Sequence, residues 1–186
     1  MNETVNLTVR AATNADVDEL VQIVQWAFRG GRPSEKQWTG EENLVKGPRV
    51  TAGSVRTMIA DTRSAVLVCE SQEGGCAKQL VGCIHVEREN DHAHFGMLAV
   101  DPAVQSGGIG KVLMQAAEEH AIRQWKSKRM TAKVVSGRPE LMDWYKRRGY
   151  TEMGETEPFL GPEHGVEPLV DGLHFKFIAK DLGSRI

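Results

Sequence analysis

The sequence predicts an α/β fold, and three observations favour it. The chain has 186 residues, of which 40% are hydrophobic, which is enough for one well-buried core and short for two. Segments with strand-like alternation are interspersed with segments whose apolar residues recur at helical spacing. Two strand-like segments, residues 65–71 and 80–88, are joined by a short glycine-bearing turn, which indicates an antiparallel hairpin. We therefore expect a single domain over residues 1–186.

The first third of the chain predicts a strand followed by two helices. Residues 5–11 alternate as a strand, and Thr13 or Asn14 then caps a helix. The apolar positions of this helix are Val17, Leu20, Val21, Val24, Ala27 and Phe28. Residues 29–53 interrupt the periodicity with glycines and prolines, which favours a loop or short helices. A second helix over residues 54–61 leads into the hairpin.

After the hairpin, strands and helices alternate. In chain order we expect a strand at 92–100, a helix at 107–126, a strand at 130–135, a short helix that carries Tyr145, and a strand that begins at Tyr150. A polar segment, residues 154–172, contains three prolines and predicts a long loop. A closing strand follows at residues 173–180.

Charge and hydropathy argue against a nucleic-acid or membrane partner. The formal net charge is -2, the isoelectric point is near 6.3, and the basic residues are scattered. No run approaches the roughly eighteen apolar residues of a membrane span, and the polar N-terminus lacks the pattern of a secretory signal. We expect a soluble, cytoplasmic protein.

The cysteines do not indicate a disulfide or a metal site. Cys69, Cys76 and Cys83 are an odd set without a C-x-x-C pair or a matching histidine cluster. Cys69 and Cys83 lie in apolar strand-like runs, where a small core residue is a better interpretation than a catalytic thiol. We predict three free thiols and no bound metal.

The most informative segment runs from Met97 to Lys111, where an apolar strand enters a glycine-rich turn and then a helix. Glycines at 107, 108 and 110 leave the first helical amides open, so that several N–H groups and the helix dipole converge on an anion such as a pyrophosphate. A Walker-type loop is excluded because Val112 follows Lys111 where Ser or Thr is needed. The G-x-G-x-x-G spacing of dinucleotide-binding loops is also missing.

The spacing Gln105-x-x-Gly108-x-Gly110, preceded by Leu-Ala-Val-Asp-Pro, resembles the acetyl-CoA loop of the GNAT superfamily of N-acetyltransferases. A second segment is similar to that family as well: Trp144-Tyr145 on a short helix, followed by Gly149-Tyr150. The resemblance extends over the whole chain in element order, with specific motifs over about 93–154. It implies a mixed, mostly antiparallel twisted sheet flanked by helices and splayed at the acetyl-CoA site.

The resemblance also implies how acetyl-CoA binds. The strand that enters the loop separates from its parallel neighbour, and the pantetheine arm pairs with its exposed edge while the loop amides hold the pyrophosphate. The implied cofactor-binding residues are Leu98, Ala99, Val100, Gln105, Ser106, Gly107, Gly108, Ile109, Gly110, Lys111 and Tyr145. Gly96 suits a bulge that would open the gap.

The activity implied is acetyl transfer from acetyl-CoA to a primary amine by direct attack in a ternary complex. Tyr145 matches the tyrosine that serves the family as general acid toward the thiolate, although a core aromatic would occupy the same position. His94 stands where some members place a glutamate base, Glu87 is its rival, and a chain of waters is the third possibility. Arg138 replaces a common asparagine and is expected to be a solvated cap residue, with phosphate or carboxylate binding as the alternatives.

Acceptor specificity in this architecture comes from two loops. The first carries Trp38, Glu41 and Glu42, which would attract a cationic amine, and the second carries Glu163, His164 and Glu167. We expect a small-molecule amine as acceptor. The alternatives are a protein N-acetyltransferase and a non-catalytic acyl-CoA-binding sensor, and a homodimer is possible for either.

Overall fold

The computed structural model describes residues 6–32, 40–72, 76–105, 107–159 and 165–183. Within these ranges the helices are α1 (Val17–Arg29), α2 (Ala52–Ala60), α3 (Ile109–Trp125) and α4 (Pro139–Lys146). The strands are β1 (Asn6–Ala11), β2 (Val45–Lys46), β3 (Ser64–Gln72), β4 (Gln79–Glu89), β5 (His92–Val100), β6 (Arg129–Val135), β7 (Thr151–Pro158), β8 (Glu167–Pro168) and β9 (His174–Asp181). Short 3-10 turns precede α1 at Asn14–Asp16 and follow β5 at Pro102–Val104.

Seven strands form one sheet in the order β1-β3-β4-β5-β6-β9-β7. Neighbours in the described sheet pair antiparallel except β5 and β6, which pair in parallel. The remaining strands, β2 and β8, pair with each other in a separate two-stranded sheet. The predicted fold class, a mixed and mostly antiparallel sheet flanked by helices, is confirmed.

Helices cover both faces of the large sheet. On one face α1 and α2 pack through a buried cluster that includes Leu20, Val24 and Val55. On the other face α3 and α4 pack through a second cluster that includes Leu113, Ala117 and Met142. The predicted helical spacing in α1 is therefore a core stripe, because such spacing places apolar residues on one side of a helix.

Local capping determines where the first two helices begin. Thr13 is extended, and its N–H and hydroxyl both bond Asp16 Oδ2, at 2.7 and 3.0 Å, before α1. Thr51 and Ser54 cap α2 reciprocally: Ser54 N–H donates to Thr51 Oγ1 at 3.1 Å, and Thr51 N–H donates to Ser54 Oγ at 3.0 Å. This capping box starts α2 at Ala52, two residues before the predicted helix.

The prediction of a continuous loop over residues 154–172 is wrong. β7 extends to Pro158, and β8 lies inside the same segment. β7 is an edge strand, so an exposed polar sequence with a terminal proline is compatible with pairing to β9 alone. Ion pairs such as Lys133–Glu157, at 2.7 Å, connect it to the sheet.

Candidate active site

A bulge in β5 is the first feature that shapes the site. The register passes from Cys83–Ala99 to His85–Gly96, so two residues of β5, Met97 and Leu98, lie opposite one residue of β4. The bulge lies next to Gly96, the glycine that was predicted to suit it, and the residue with a positive φ is Met97, at +50°. One extra residue reverses the faces of a strand. Phe95 accordingly packs with the α3 cluster and Met97 with the α1 cluster.

The second feature is the separation of β5 from β6. Their parallel pairing covers Ala93–Met130, His94–Thr131 and Phe95–Ala132 and then ends, although β5 continues to Val100. The edge of β5 beyond Phe95 is therefore unpaired on the β6 side within the described strands. This is the splay that the sequence predicted, and an extended ligand with amide groups fits such an edge. The Val100 carbonyl already accepts a bond from Gln105 Nε2 at 3.3 Å.

The glycine-rich turn after β5 presents a helix N-terminus. Asp101 Oδ1 accepts from Ala103 N–H at 2.9 Å and Oδ2 pairs with Arg32 Nη1 at 2.5 Å, which fixes the start of the turn. Gly108 is left-handed, with φ +77°, and its carbonyl accepts the first α3 bond from Val112 N–H at 3.1 Å. The amides that precede this bond point out of the helix and favour an anion.

The fit to a pyrophosphate rests on space as well as on donors. A Cβ at Gly108 would have no heavy atom within 4 Å, whereas a Cβ at Gly110 would lie 3.2 Å from Trp144 Cζ2. Gly108 therefore leaves the approach to the amides open, and Gly110 lets α4 pack closely against α3. Of the predicted cofactor residues, Ser106 lies outside the described residues; the others lie on the free edge of β5, in the turn and in the first turn of α3, except Tyr145, which is on α4.

Tyr145 is buried in an aromatic cluster and has a free hydroxyl. Its ring lies 5.6 Å from Phe95, 5.1 Å from Trp144 and 6.0 Å from Tyr150, between centroids, and 6% of the residue is exposed. No residue in the described part of the chain hydrogen-bonds its hydroxyl. Burial raises the pKa of Tyr145, and the charge of Glu41 raises it further. The hydroxyl therefore stays protonated over the neutral range.

A cavity of about 230 Å³ joins these features. Its floor is the separated part of β5 and β6, including Gly96 and Leu98, and Tyr145 and Trp144 of α4 form one wall. The acceptor side consists of residues from the end of α1 and the segment after it, and of residues around β7, β8 and β9. The cavity thus reaches from the β5 edge to both predicted acceptor loops.

Those two loops are joined to each other. Val45 pairs with Pro168 and Lys46 with Glu167, and Leu169 N–H donates to the Leu44 carbonyl at 2.8 Å. We call this small sheet the β2–β8 bridge. Gly47, at φ +104°, passes so close that an added Cβ would lie 2.5 Å from the Gly165 carbonyl oxygen.

The charged residues of the cavity wall are arranged differently from the sequence prediction. Glu41 pairs with Arg29 at 3.0 Å, and both side chains are 11% exposed. Arg49 lies with its guanidinium carbon 5.1 Å from the centroid of the Phe28 ring. Lys133 pairs with Glu157.

The other predicted acceptor residues are not in the wall. Glu42 is exposed, and Glu167 lies in the β2–β8 bridge. Trp38, Glu163 and His164 lie outside the described residues. The acidic attraction expected of Glu41 is thus satisfied within the protein by Arg29.

His94 and Glu87 lie beside the cavity but not in its described wall. They are paired across β4 and β5, and His94 Nδ1 is 3.0 Å from Thr131 Oγ1. Burial lowers the pKa of His94, while Glu89 and Glu87 oppose that shift, so the imidazole is neutral at physiological pH. The sheet separates one residue after His94, which brings it close to the floor without exposing it there.

The prediction for Arg138 as a solvated cap residue is wrong. It occupies the N-cap position of α4, but only 6% of it is exposed. Its Nε donates to Glu140 Oε1 at 2.5 Å and its Nη1 to the Gly40 carbonyl at 3.2 Å. Arg138 therefore connects the Tyr145 helix to the segment after α1.

The cysteines have the predicted core role. Cys69 and Cys83 are buried free thiols, and Cys76 is exposed. Burial raises the pKa of Cys69 to about 11 and that of Cys83 to about 12, so neither supplies a thiolate at neutral pH.

Sequence reasoning missed the aromatic and cationic part of the wall, namely Phe28, Arg29, Arg49, Phe159 and Phe175. Phe28 and Arg29 could have been found from the sequence, because they lie at the end of a predicted amphipathic helix next to a predicted acceptor loop. Arg49 follows a Gly-Pro pair in a segment without periodicity and carries no recognisable pattern.

The described residues offer neither a membrane-spanning helix nor a metal-binding cluster. None of their helices has both the length and the apolar character needed to cross a membrane. They also contain no group of three or more His, Cys, Asp or Glu side chains arranged to hold a metal ion.

Comparisons with known proteins agree with this geometry. The family described as Acetyltransferase (GNAT) domain matches residues 36–164. Similar solved structures include yncA of Salmonella typhimurium with its cofactor acetyl-CoA, at 20% identity and TM-score 0.64, covering 97% of this chain and 96% of that one. The ribosomal-protein-S18-alanine N-acetyltransferase of Escherichia coli has 13% identity and TM-score 0.66, covering 97% and 99%. The spermidine/spermine N-acetyltransferase SpeG of Vibrio cholerae has 16% identity and TM-score 0.62, covering 95% and 92%. A search of curated proteins returned no significant match.

Proposed function

The chain belongs to the GNAT acetyltransferase family, and from this premise we propose that it transfers an acetyl group from acetyl-CoA to the primary amine of a small molecule. The observation that carries the proposal is the continuity of one cavity, which runs from the free β5 edge past Tyr145 to residues of the two predicted acceptor loops. A site that only bound acetyl-CoA would not need the acceptor side.

The residues present fit acetyl-CoA. The backbone of Leu98 and Val100 would pair with the amides of the pantetheine arm, and the amides from Gly107 to Lys111 would hold the pyrophosphate. Tyr145 lies at the cavity end of that edge. Acetyl-CoA supplies the acetyl group as a thioester whose sulfur leaves as a thiol.

Proton balance defines what the protein must do. A neutral amine that becomes an amide loses one N–H proton, and the departing sulfur gains one. The thiol has an ordinary pKa of about 8.5. Because the pKa of Tyr145 is raised well above its ordinary value, its hydroxyl stays protonated and is suited to donate a hydrogen bond that stabilises the developing thiolate. As a weaker acid than the thiol, it keeps its own proton, and the sulfur takes up the proton that the amine releases, through water.

Removal of the amine proton has three candidates. His94 is neutral and therefore able to accept a proton, and Glu87 faces it across the two strands. Neither side chain belongs to the described cavity wall, so either would act through a water molecule. We propose His94 as the acceptor of this proton, with a chain of waters alone as the competing route.

A small acceptor is favoured over a protein chain by the small volume of the cavity. The cavity of about 230 Å³ is smaller than typical small-molecule pockets, which measure roughly 300–1,000 Å³, and the pantetheine end must share it. The β2–β8 bridge holds together the two segments that border the acceptor side.

The test is release of thiol from acetyl-CoA by the purified protein, followed with a colorimetric reagent and by mass spectrometry of the product. Amino acids, amino sugars, polyamines and short peptides are offered in parallel. Release with a small amine supports the proposal, and acetylation of peptides alone would favour a protein N-acetyltransferase. Tight acetyl-CoA binding in calorimetry without release from any acceptor would favour the sensor.

A further inference from the structure

We propose that the acceptor amine also carries an anionic group, such as a carboxylate, and that Arg49 binds this group. The inference rests on the proposed acetyl transfer and names its substrate class. It departs from the cationic acceptor that the sequence suggested.

The charge balance of the cavity wall is the first argument. Four charged side chains line the wall within the described residues: Arg29, Glu41, Arg49 and Lys133. Arg29 and Glu41 neutralise each other at 3.0 Å, and Lys133 is neutralised by Glu157 at 2.7 Å. Arg49 forms no ion pair with the described part of the chain. The wall therefore carries one uncompensated positive charge, which favours an anion and disfavours a polycation.

The second argument is the way in which Arg49 is held. Its backbone N–H donates to Gln25 Oε1 at 2.7 Å, which fixes the residue against α1. Its guanidinium lies over the Phe28 ring, a contact that does not use its N–H groups. The residue is exposed to solvent and lines the cavity, and its guanidinium makes no hydrogen bond with the described part of the chain. A planar guanidinium with free donors binds a carboxylate with two parallel hydrogen bonds.

The third argument concerns the carboxylates. The described wall contains one acidic side chain, Glu41, and its partner Arg29 also donates Nε to the Gly47 carbonyl at 2.7 Å. This network holds Glu41 in place. A polyamine would have to displace Arg29 from a pair that is largely buried, which leaves a buried charge without a partner.

The apolar part of the wall completes the substrate class. Phe159 and Phe175 stack with their centroids 5.1 Å apart, and Phe28 lines the cavity below Arg49. Aromatic surface of this kind buries an apolar side chain. The acceptor class is therefore a compound with an amine, an anionic group and an apolar substituent, as in a hydrophobic α-amino acid.

The experiment compares acceptors that differ in one group. L-leucine, L-leucinamide and isoamylamine share the apolar substituent and the amine, and differ in the carboxylate; spermidine represents the polycations. We expect kcat/KM for L-leucine to exceed that for each of the other three at least tenfold. In Arg49→Gln, the value for L-leucine falls about tenfold through KM and the preference over L-leucinamide narrows. Arg49→Lys keeps the positive charge but loses the planar guanidinium. Its kcat/KM for L-leucine should lie between those of the parent protein and Arg49→Gln.

Arg56→Gln is the matched control, because Arg56 is an exposed arginine on α2 outside the cavity wall. Arg56→Gln should keep the kcat/KM of the parent protein for L-leucine and its preference for L-leucine over L-leucinamide. Equal use of L-leucine and L-leucinamide, or an unchanged preference in Arg49→Gln, would overturn the inference while leaving acetyl transfer intact.

A binding measurement keeps the two proposals separate. Calorimetry with N-acetyl-L-leucine and N-acetyl-L-leucinamide asks whether the carboxylate is recognised, whether or not the protein turns over. Tighter binding of the acid that is lost in Arg49→Gln supports the inference even if thiol release fails for every acceptor. Equal binding of both compounds contradicts the inference, whatever the turnover.

Discussion

Replacing Tyr145 with phenylalanine should separate catalysis from stability. The hydroxyl is the only group removed, and it has no hydrogen-bond partner in the described part of the chain, while the ring keeps its contacts with Phe95 and Trp144. We therefore expect the free energy of unfolding to change by less than about 0.5 kcal/mol. Turnover should fall by roughly 10²-fold or more, since removal of one positioned hydrogen-bond donor to a developing negative charge costs about 10²–10³-fold.

Tyr150 provides the matched control. It is buried in the same aromatic cluster, 5.5 Å from Phe95, but its hydroxyl donates to Glu118 Oε1 at 3.0 Å. Removing that bond in Tyr150→Phe should destabilise the fold by about 1 kcal/mol. Glu118 still forms an ion pair with Lys180 at 2.7 Å in this variant, so its negative charge is not left without a partner. Turnover should stay close to that of the parent protein.

The assays are steady-state thiol release, acetyl-CoA calorimetry and urea unfolding of both variants. We expect Tyr145→Phe to lose kcat with acetyl-CoA affinity within about threefold of the parent protein, and Tyr150→Phe to lose stability alone. If Tyr145→Phe keeps its turnover, Tyr145 does not act on the leaving sulfur. If it unfolds more easily than Tyr150→Phe, the hydroxyl has a structural role that the geometry does not show.

Three further predictions concern the loop and two histidines. Gly108→Val places a β-branched residue at φ +77°, which costs about 1–2 kcal/mol of stability, and its side chain covers the helix amides. Acetyl-CoA affinity in calorimetry should therefore fall at least tenfold. Retained affinity would remove the loop from the binding site. The acidic limb of the kcat/KM profile against pH contains the ionisation of the acceptor amine as well as that of His94. His94→Gln should leave only the amine's ionisation in that limb, and a profile identical to that of the parent protein would assign the proton to water. Burial lowers the pKa of His85, whose ring lies 2.7 Å from Ser64 Oγ. As pH falls, the histidine of the unfolded state is therefore protonated before that of the folded state, and the free energy of unfolding decreases below about pH 6.5. His85→Gln should lose less stability than the parent protein between pH 7.5 and 5.5 in urea unfolding, and equal losses would contradict this assignment.

The backbone of the proposed cofactor half of the site was predictable because it is local in the chain. The unpaired edge, the turn and the helix N-terminus lie within Leu98–Lys111, so glycine spacing in one segment describes the backbone that matters. The bulge lies at Met97 and Leu98, one residue beyond the predicted position at Gly96. Glycine is the usual residue at a positive φ, but here Met97 takes that conformation and is held by burial in the α1 cluster.

Arg138 shows why burial of a charged residue is hard to predict. Its sequence neighbours predict a helix cap, which is correct, and arginine at a cap is usually solvated. Its burial depends on the Gly40 carbonyl, which comes from a segment remote in sequence. A hydrogen-bond partner that only the tertiary fold brings close cannot be predicted from the residues around Arg138 in the sequence.

The acceptor side was unpredictable for the same reason, and this has a functional consequence. β2 and β8 have two residues each, too few for a periodicity, and they pair across most of the chain. Gly47 appeared only as a loop residue, although the fold requires it to pass the Gly165 carbonyl. The β2–β8 bridge therefore couples two segments that are remote in sequence. In the proposed function, acceptor specificity would depend on those segments and acetyl-CoA binding on backbone shape within a single motif, so that substitutions in the segments would change the first without the second.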